Sequence, residues 1–248
     1  MSFSSEKICI AIPLFTSNRE QIAPLIEEAC NKEPDFLEIR FDYMDDISEI
    51  SENFLQFLMS ENQDIPYIFT FRHPSEGGQS EVSTKKQVEI VHTLINSKPQ
   101  FIDIELNKEY KYLSELIAPA IDLGVNLIFS YHNFHKTPNL DELEKLIKQF
   151  EKKLITEIEQ DYGNWKHIYK VIPTAQRFTD NLISLELCKS LSQHGMMVVS
   201  FCMGEKGIFS RVLSLKAGSF FTYASSGEKT APGQVNIDVV RKILSLIE

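Results

Sequence analysis

HIYKVIP, residues 167–173, is apolar at both alternating positions except at one buried-looking lysine, Lys170. A strand with one face in water alternates apolar and polar residues, so a run like this reads as a parallel strand covered on both faces. Seven more runs share the character: ICIAIPL at 8–14, FLEIRFD at 36–42, YIFTFR at 67–72, FIDIEL at 101–106, NLIFSYH at 126–132, MMVVSFC at 196–202 and SFFTYAS at 219–225. Segments with helical spacing lie between them, among them REQIAPLIEEACNK at 19–32 and TKKQVEIVHTLIN at 84–96. In DELEKLIKQFEKKL, Leu143, Leu146, Ile147 and Phe150 form one apolar stripe, preceded by the helix-start signal Thr137-Pro138-Asn139. Eight strand–helix units in series predict an α/β fold, a (β/α)8 barrel, ahead of a doubly wound sheet, which uses the same alternation. The 248 residues fit one such domain spanning 1–248, with no Pro/Gly-rich linker to divide it. One connection, 155–167, is long and is expected either to extend the preceding helix or to form a surface loop.

Composition narrows the function classes. Hydrophobic residues make up 43% and charged residues 24%, enough for a sizeable core. A formal net charge of -10 argues against nucleic acid or an anionic membrane as partner. No apolar run reaches membrane-spanning length, and the first residues lack the pattern of a secretory leader, so the expectation is a cytoplasmic protein. Cys9, Cys30, Cys188 and Cys202 are scattered with no CxxC spacing, which predicts reduced thiols and no metal site. Neither a phosphate-binding GxxxxGK[ST] nor a strand-linked GxGxxG occurs.

In a barrel the reactive groups sit where the strands end. Polar residues gather there: Glu38 and Arg40 on one face of the second run, Arg72 and Glu76 with Gly77-Gly78 after the third, His132 at the end of the fifth, Arg211 after the seventh and TAPGQ after the eighth. Each has a bland reading as an ion pair, a scaffold histidine or a turn, and Asp103 and Glu105 read as mainly structural. Lys170 is the sharpest case. Desolvation and neighbouring arginines would favour a neutral amine able to attack a carbonyl and form a Schiff base. Equally open is a lysine that reaches water or pairs with Glu38 or Glu105. If an iminium forms, a neutral imidazole on the next strand can remove the adjacent acidified proton, and the arginines suit a substrate carboxylate.

LEIRFDYM, FTFRHPSEGGQ, FIDIEL, SYHNFHKTP, YKVIPTAQ, MGEKGIFSR and TAPGQ, in this order, resemble the type I 3-dehydroquinate dehydratase family over nearly the whole chain. The resemblance implies a usually dimeric (β/α)8 barrel, here a homodimer, that converts 3-dehydroquinate to 3-dehydroshikimate without metal or organic cofactor, a carbon–oxygen lyase of the shikimate pathway. It implies Lys170 as Schiff-base lysine, His132 as general acid and base, and Glu76 as the acid that positions His132. Glu38, Arg40, Arg72, Met203, Arg211, Thr230 and Gln234 correspond to substrate contacts, with Arg211 the carboxylate clamp and Thr230 and Gln234 on a closing loop. His135 is not the base in this pattern. Thr230 stands where many relatives have serine, and 151–167 is longer than the family's usual segment. The rival readings are another Schiff-base barrel lyase of the class I aldolase type and a metabolite-binding barrel without catalysis.

Overall fold

The computed structural model describes residues 6–157, 166–227 and 233–247. Its strands are β1 (Ile8–Pro13), β2 (Phe36–Arg40), β3 (Tyr67–Thr70), β4 (Phe101–Glu105), β5 (Asn126–Asn133), β6 (His167–Pro173), β7 (Met197–Ser200) and β8 (Thr222–Ala224). They alternate with helices α1 (Arg19–Cys30), α2 (Glu52–Glu61), α3 (Thr84–Asn96), α4 (Tyr110–Asp122), α5 (Leu140–Glu157), α6 (Asp180–Gln193), α7 (Ile208–Leu213) and α8 (Ile237–Ser245). The ladders are parallel, in the order β7-β6-β5-β4-β3-β2-β1-β8. Between β7 and β8 the Phe220 N–H donates to the Val198 carbonyl at 2.7 Å. The eight strands thus form a nearly closed (β/α)8 barrel, as expected.

The double-sided burial inferred from the runs has a simple origin. Outward residues such as Leu37, Ile39, Phe69 and Leu127 pack against the helices, while Cys9, Phe36, Ile68, Phe101, Ile128, Ile168 and Phe221 fill the barrel in a separate apolar cluster. Burying each large apolar side chain contributes roughly 1.5–3 kcal/mol. Side chains repeat with a period of two along a strand. Two residues on from Phe36, Ile68, Phe101, Ile128 and Ile168 stand Glu38, Thr70, Asp103, Ser130 and Lys170, all buried. Two further on stand Arg40, Arg72, Glu105 and His132. The interior therefore changes from an apolar floor to an ionic layer and then to a polar rim at the C-terminal ends of the strands.

Most strands are shorter than the runs that announced them. Phe71 and Arg72 leave the β3 ladder, and the Gln87 side-chain amide donates to the Phe71 carbonyl at 3.0 Å. The eighth run contributes only Thr222–Ala224 to the sheet. Asn139 starts α5 as expected, its Oδ1 accepting from the Glu142 N–H at 2.9 Å, and Leu143, Ile147 and Phe150 are buried. The long connection extends α5 through Glu157, while 158–165 fall outside the described residues. The four cysteines are free thiols, three of them buried. Among the described residues no helix is long and apolar enough to cross a membrane.

Candidate active site

A cavity of about 420 Å³ opens at the C-terminal ends of the strands. Glu38, Arg40, Arg72, Glu76, His132, Lys170, Met203, Arg211 and Gln234 all line it, nine of the ten residues singled out in the sequence. Thr230 lies outside the described residues, as does most of the expected closing loop. Met203 is brought to the wall by its N–H, which donates to the carbonyl of Pro173, the last residue of β6, at 2.6 Å. His135 is exposed and does not line the cavity.

At the centre, Lys170 Nζ donates to Asp103 Oδ2 at 2.8 Å and to the Tyr223 hydroxyl at 3.0 Å, with Glu38 Oε1 at 3.8 Å. Asp103 also accepts from Arg72 Nη2 at 2.7 Å and from the Ser130 hydroxyl. Burial alone would raise the Asp103 carboxyl, but Arg72 and Lys170 outweigh it and hold it well below the usual carboxylate range. Burial opposes the charge on Glu38 in the same way; Lys170 and Arg40 prevail, helped by the Thr70 hydroxyl at 2.6 Å. Of the two readings left open for Lys170, the structure shows the paired one, with carboxylates of Asp103 and Glu38 beside the amine, and Asp103 and Glu105, read as mainly structural, contact Lys170 and His132.

His132 follows Ser130 on the inward face of β5, and Ser130 is in register with Lys170 on β6, so the imidazole stands one layer above the amine. Its Nδ1 lies 2.5 Å from Glu105 Oε1, which also accepts from Arg72. A carboxylate in that place favours the proton on Nδ1 and leaves Nε2 as the basic nitrogen. Burial lowers the His132 pKa below 6.5, with Arg72 and Lys170 assisting and Glu105 opposing. Phe134 stacks on the ring, centroids 6.1 Å apart and planes 13° apart. Gly77, at φ +82°, leaves the space Phe134 needs, since a Cβ there would enter the Phe134 ring.

Glu76 makes a different contact from the one the resemblance implies. The carboxylate that touches His132 is Glu105. Glu76 instead accepts from Lys108 Nζ at 3.0 Å, a partner absent from the sequence motifs. The three arginines also differ. Arg40 is held in a fork by Asp42 at 2.8 Å through both Nε and Nη2, and Arg72 is committed to Asp103 and Glu105. Arg211 is 3% exposed, forms no ion pair among the described residues, and has an unpartnered Nε; its guanidinium carbon lies 4.3 Å from the centroid of the Phe201 ring. Burial lowers its pKa to about 10, which still leaves it charged near neutral pH. Among the described residues no group of three or more His, Cys, Asp or Glu is arranged to hold a metal ion.

The sequence reading missed Tyr223, Asp42, Lys108 and Phe134. Tyr223 was recoverable as an inward position of the eighth run, two residues beyond Phe221. Asp42 and Phe134 act on residues two positions before them, Arg40 and His132, inside quoted motifs, whereas Lys108 acts through a tertiary contact that leaves no spacing signal.

Residues 10–248 match the family model for type I 3-dehydroquinase. The chain belongs to the type I 3-dehydroquinase family. Relatives within reach include a 3-dehydroquinate dehydratase of Methanococcus maripaludis strain S2, 34% identical and covering 96% of this chain and 99% of that one. Another, from Methanobrevibacter smithii, is 31% identical over 96% of this chain and 95% of its own length. Among solved structures, a type I 3-dehydroquinate dehydratase from Clostridium difficile with covalently modified comenic acid superposes with a TM-score of 0.83 at 25% identity, covering 98% of this chain and 92% of that one. The Geobacillus kaustophilus enzyme, at 24% identity and a TM-score of 0.84, agrees in fold over 98% and 91% of the two chains.

Among the described cations that line the cavity, Arg211 alone has no carboxylate partner, so an anionic ligand is expected to bind there. Arg211→Ala is expected to weaken ligand binding by about 1.5–3 kcal/mol, roughly ten- to a hundredfold, as for hydrogen bonds to charged groups. Titration calorimetry on the folded variant checks this; unchanged affinity for a carboxylate ligand would remove Arg211 from the role.

Proposed function

We propose that the protein is a 3-dehydroquinate dehydratase that works through an imine on Lys170. The observation that carries the reading is a buried amine, Lys170, one layer below an imidazole whose basic nitrogen is left free, in a cavity with one uncompensated guanidinium. The family membership and the dehydratase relatives supply the substrate.

Substrate binding places the carboxylate on Arg211 and the ring ketone at Lys170. The amine must lose a proton before it attacks, and the carboxylates of Asp103 and Glu38 lie within reach. Nitrogen adds to the carbonyl carbon, the resulting carbinolamine loses water, and an iminium remains. The iminium acidifies the neighbouring C–H bond, and His132 Nε2 takes that proton to give an enamine. The enamine electrons expel the hydroxyl on the next carbon as His132 returns the proton to it. Water then hydrolyses the conjugated imine and frees Lys170, so the net change is loss of one water from the substrate. Fixing both ends of the ring decides which proton faces the imidazole, a positioning effect worth several kcal/mol of barrier.

Lys170→Ala should lower turnover by at least roughly a thousandfold while circular dichroism shows a folded barrel. The readout is the absorbance of the conjugated enone with 3-dehydroquinate as substrate; substantial retained activity would refute the assignment. The general base must be neutral, and burial lowers the His132 pKa, so its ring should titrate by NMR at lower pH than a free histidine side chain. A His132 ring that titrates at higher pH than a free histidine side chain would contradict it as the base.

A further inference from the structure

Among the described residues, Lys170 Nζ has three hydrogen-bond or ion-pair partners: Asp103 Oδ2 at 2.8 Å, the Tyr223 hydroxyl at 3.0 Å and Glu38 Oε1 at 3.8 Å. Two of them are carboxylates. Arg72 and Lys170 keep Asp103 ionised, and Lys170 and Arg40 do the same for Glu38, so each can take a proton and neither has one to give. Imine chemistry needs a donor as well as a base. When an amine adds to a ketone, the C=O electron pair moves to oxygen, leaving an alkoxide two bonds from a nitrogen that has become cationic. A proton must pass from that nitrogen to that oxygen before water can leave.

Tyr223 is placed to carry it. It pairs with Cys9 across the β1–β8 ladder and, unlike Asp103, lines the cavity. Its ring stands edge-on to Phe221 and Phe201, with centroids 5.3 and 6.1 Å away, which fixes where the hydroxyl points. Burial, with Glu38 nearby, pushes the phenol well above its ordinary value of 10, so it stays protonated. A neutral phenol accepts and donates through one oxygen. The N–H it accepts is that of Lys170; among the described residues the side chain beside its own hydrogen is the Cys9 thiol, a weak acceptor that a substrate oxygen would displace.

We propose that Tyr223 is a catalytic residue of imine formation: its hydroxyl takes a proton from the Lys170 nitrogen and passes its own to the substrate's carbonyl oxygen. The inference rests on the imine reading of Lys170. In this relay one N–H bond and the phenol O–H bond break, while a new O–H bond forms on the tyrosine and another on the former carbonyl oxygen. The zwitterion becomes a neutral carbinolamine and the phenol is restored. No phenolate accumulates, as suits a group whose ionisation burial opposes. The same relay run backwards serves the hydrolysis that frees the lysine.

The test is a single-turnover experiment in which excess protein is mixed with 3-dehydroquinate, quenched in borohydride at successive times, and the Lys170 adduct is followed by mass. In Tyr223→Phe, which keeps the ring, the adduct-forming phase should slow by at least about tenfold, and a smaller loss overturns the proposal. Affinity for a carboxylate ligand that lacks the ketone should stay at the wild-type value. If it falls in step with the rate, the hydroxyl is structural and the proposal is overturned. Should the variant not fold, the wild-type protein supplies the answer. Both protons of the relay move together, so the rate of adduct formation in mixtures of light and heavy water should follow a curve; a straight line, or no solvent isotope effect, overturns the relay. A wild-type protein that forms no Lys170 adduct is a separate event, the failure of the imine reading itself.

Discussion

Burying a lysine inside a barrel of isoleucine and phenylalanine costs several kcal/mol unless the charge is met at close range. Here it is met by the Asp103 carboxylate, 2.8 Å from Lys170 Nζ, on the strand two places away around the barrel. The same carboxylate takes Arg72, and Arg72 takes Glu105, which in turn holds His132. Five side chains on β4, β5, β6 and the end of β3 are therefore oriented by one continuous chain of charge-assisted hydrogen bonds. Such a network is sensitive to the loss of any member, since removing one partner strands another charge in the interior.

The pattern of compensation also decides what the cavity can bind. Arg40 has Asp42, Arg72 has Asp103 and Glu105, Lys108 has Glu76, and Lys170 has Asp103 with Glu38 nearby. These pairs hold geometry and leave little net field. Arg211 stands outside the scheme, buried against Phe201 without a carboxylate, so a ligand anion completes rather than disturbs the site. An acidic protein can in this way hold an acidic substrate: the attraction is local, in a confined cavity, where screening by salt is weaker than at the surface.

The barrel was legible because eight short apolar runs, each buried on both faces, demand helices on one side and a filled interior on the other. The site was legible because its residues repeat at every second position: Glu38 and Arg40 after Phe36, and Lys170 after Ile168. The partners were less so. FIDIEL showed Asp103 and Glu105 on one face, but an isolated strand does not say whether its carboxylates meet each other, water or a lysine. That depends on the register of β4 against β5 and of β5 against β6, which only the assembled barrel fixes. Glu76 shows the limit from the other direction. Its motif is intact, yet its partner is Lys108, in the turn after the next strand, and no local spacing announces such a contact.

The central step of the proposed function is a covalent bond between the Lys170 nitrogen and the substrate's carbonyl carbon. Incubation with 3-dehydroquinate and sodium borohydride, followed by digestion and mass mapping, reads that bond directly. A reduced adduct confined to the peptide bearing Lys170, and absent without substrate, is the expected result. An unmodified protein under turnover, or an adduct on a different lysine, would contradict it.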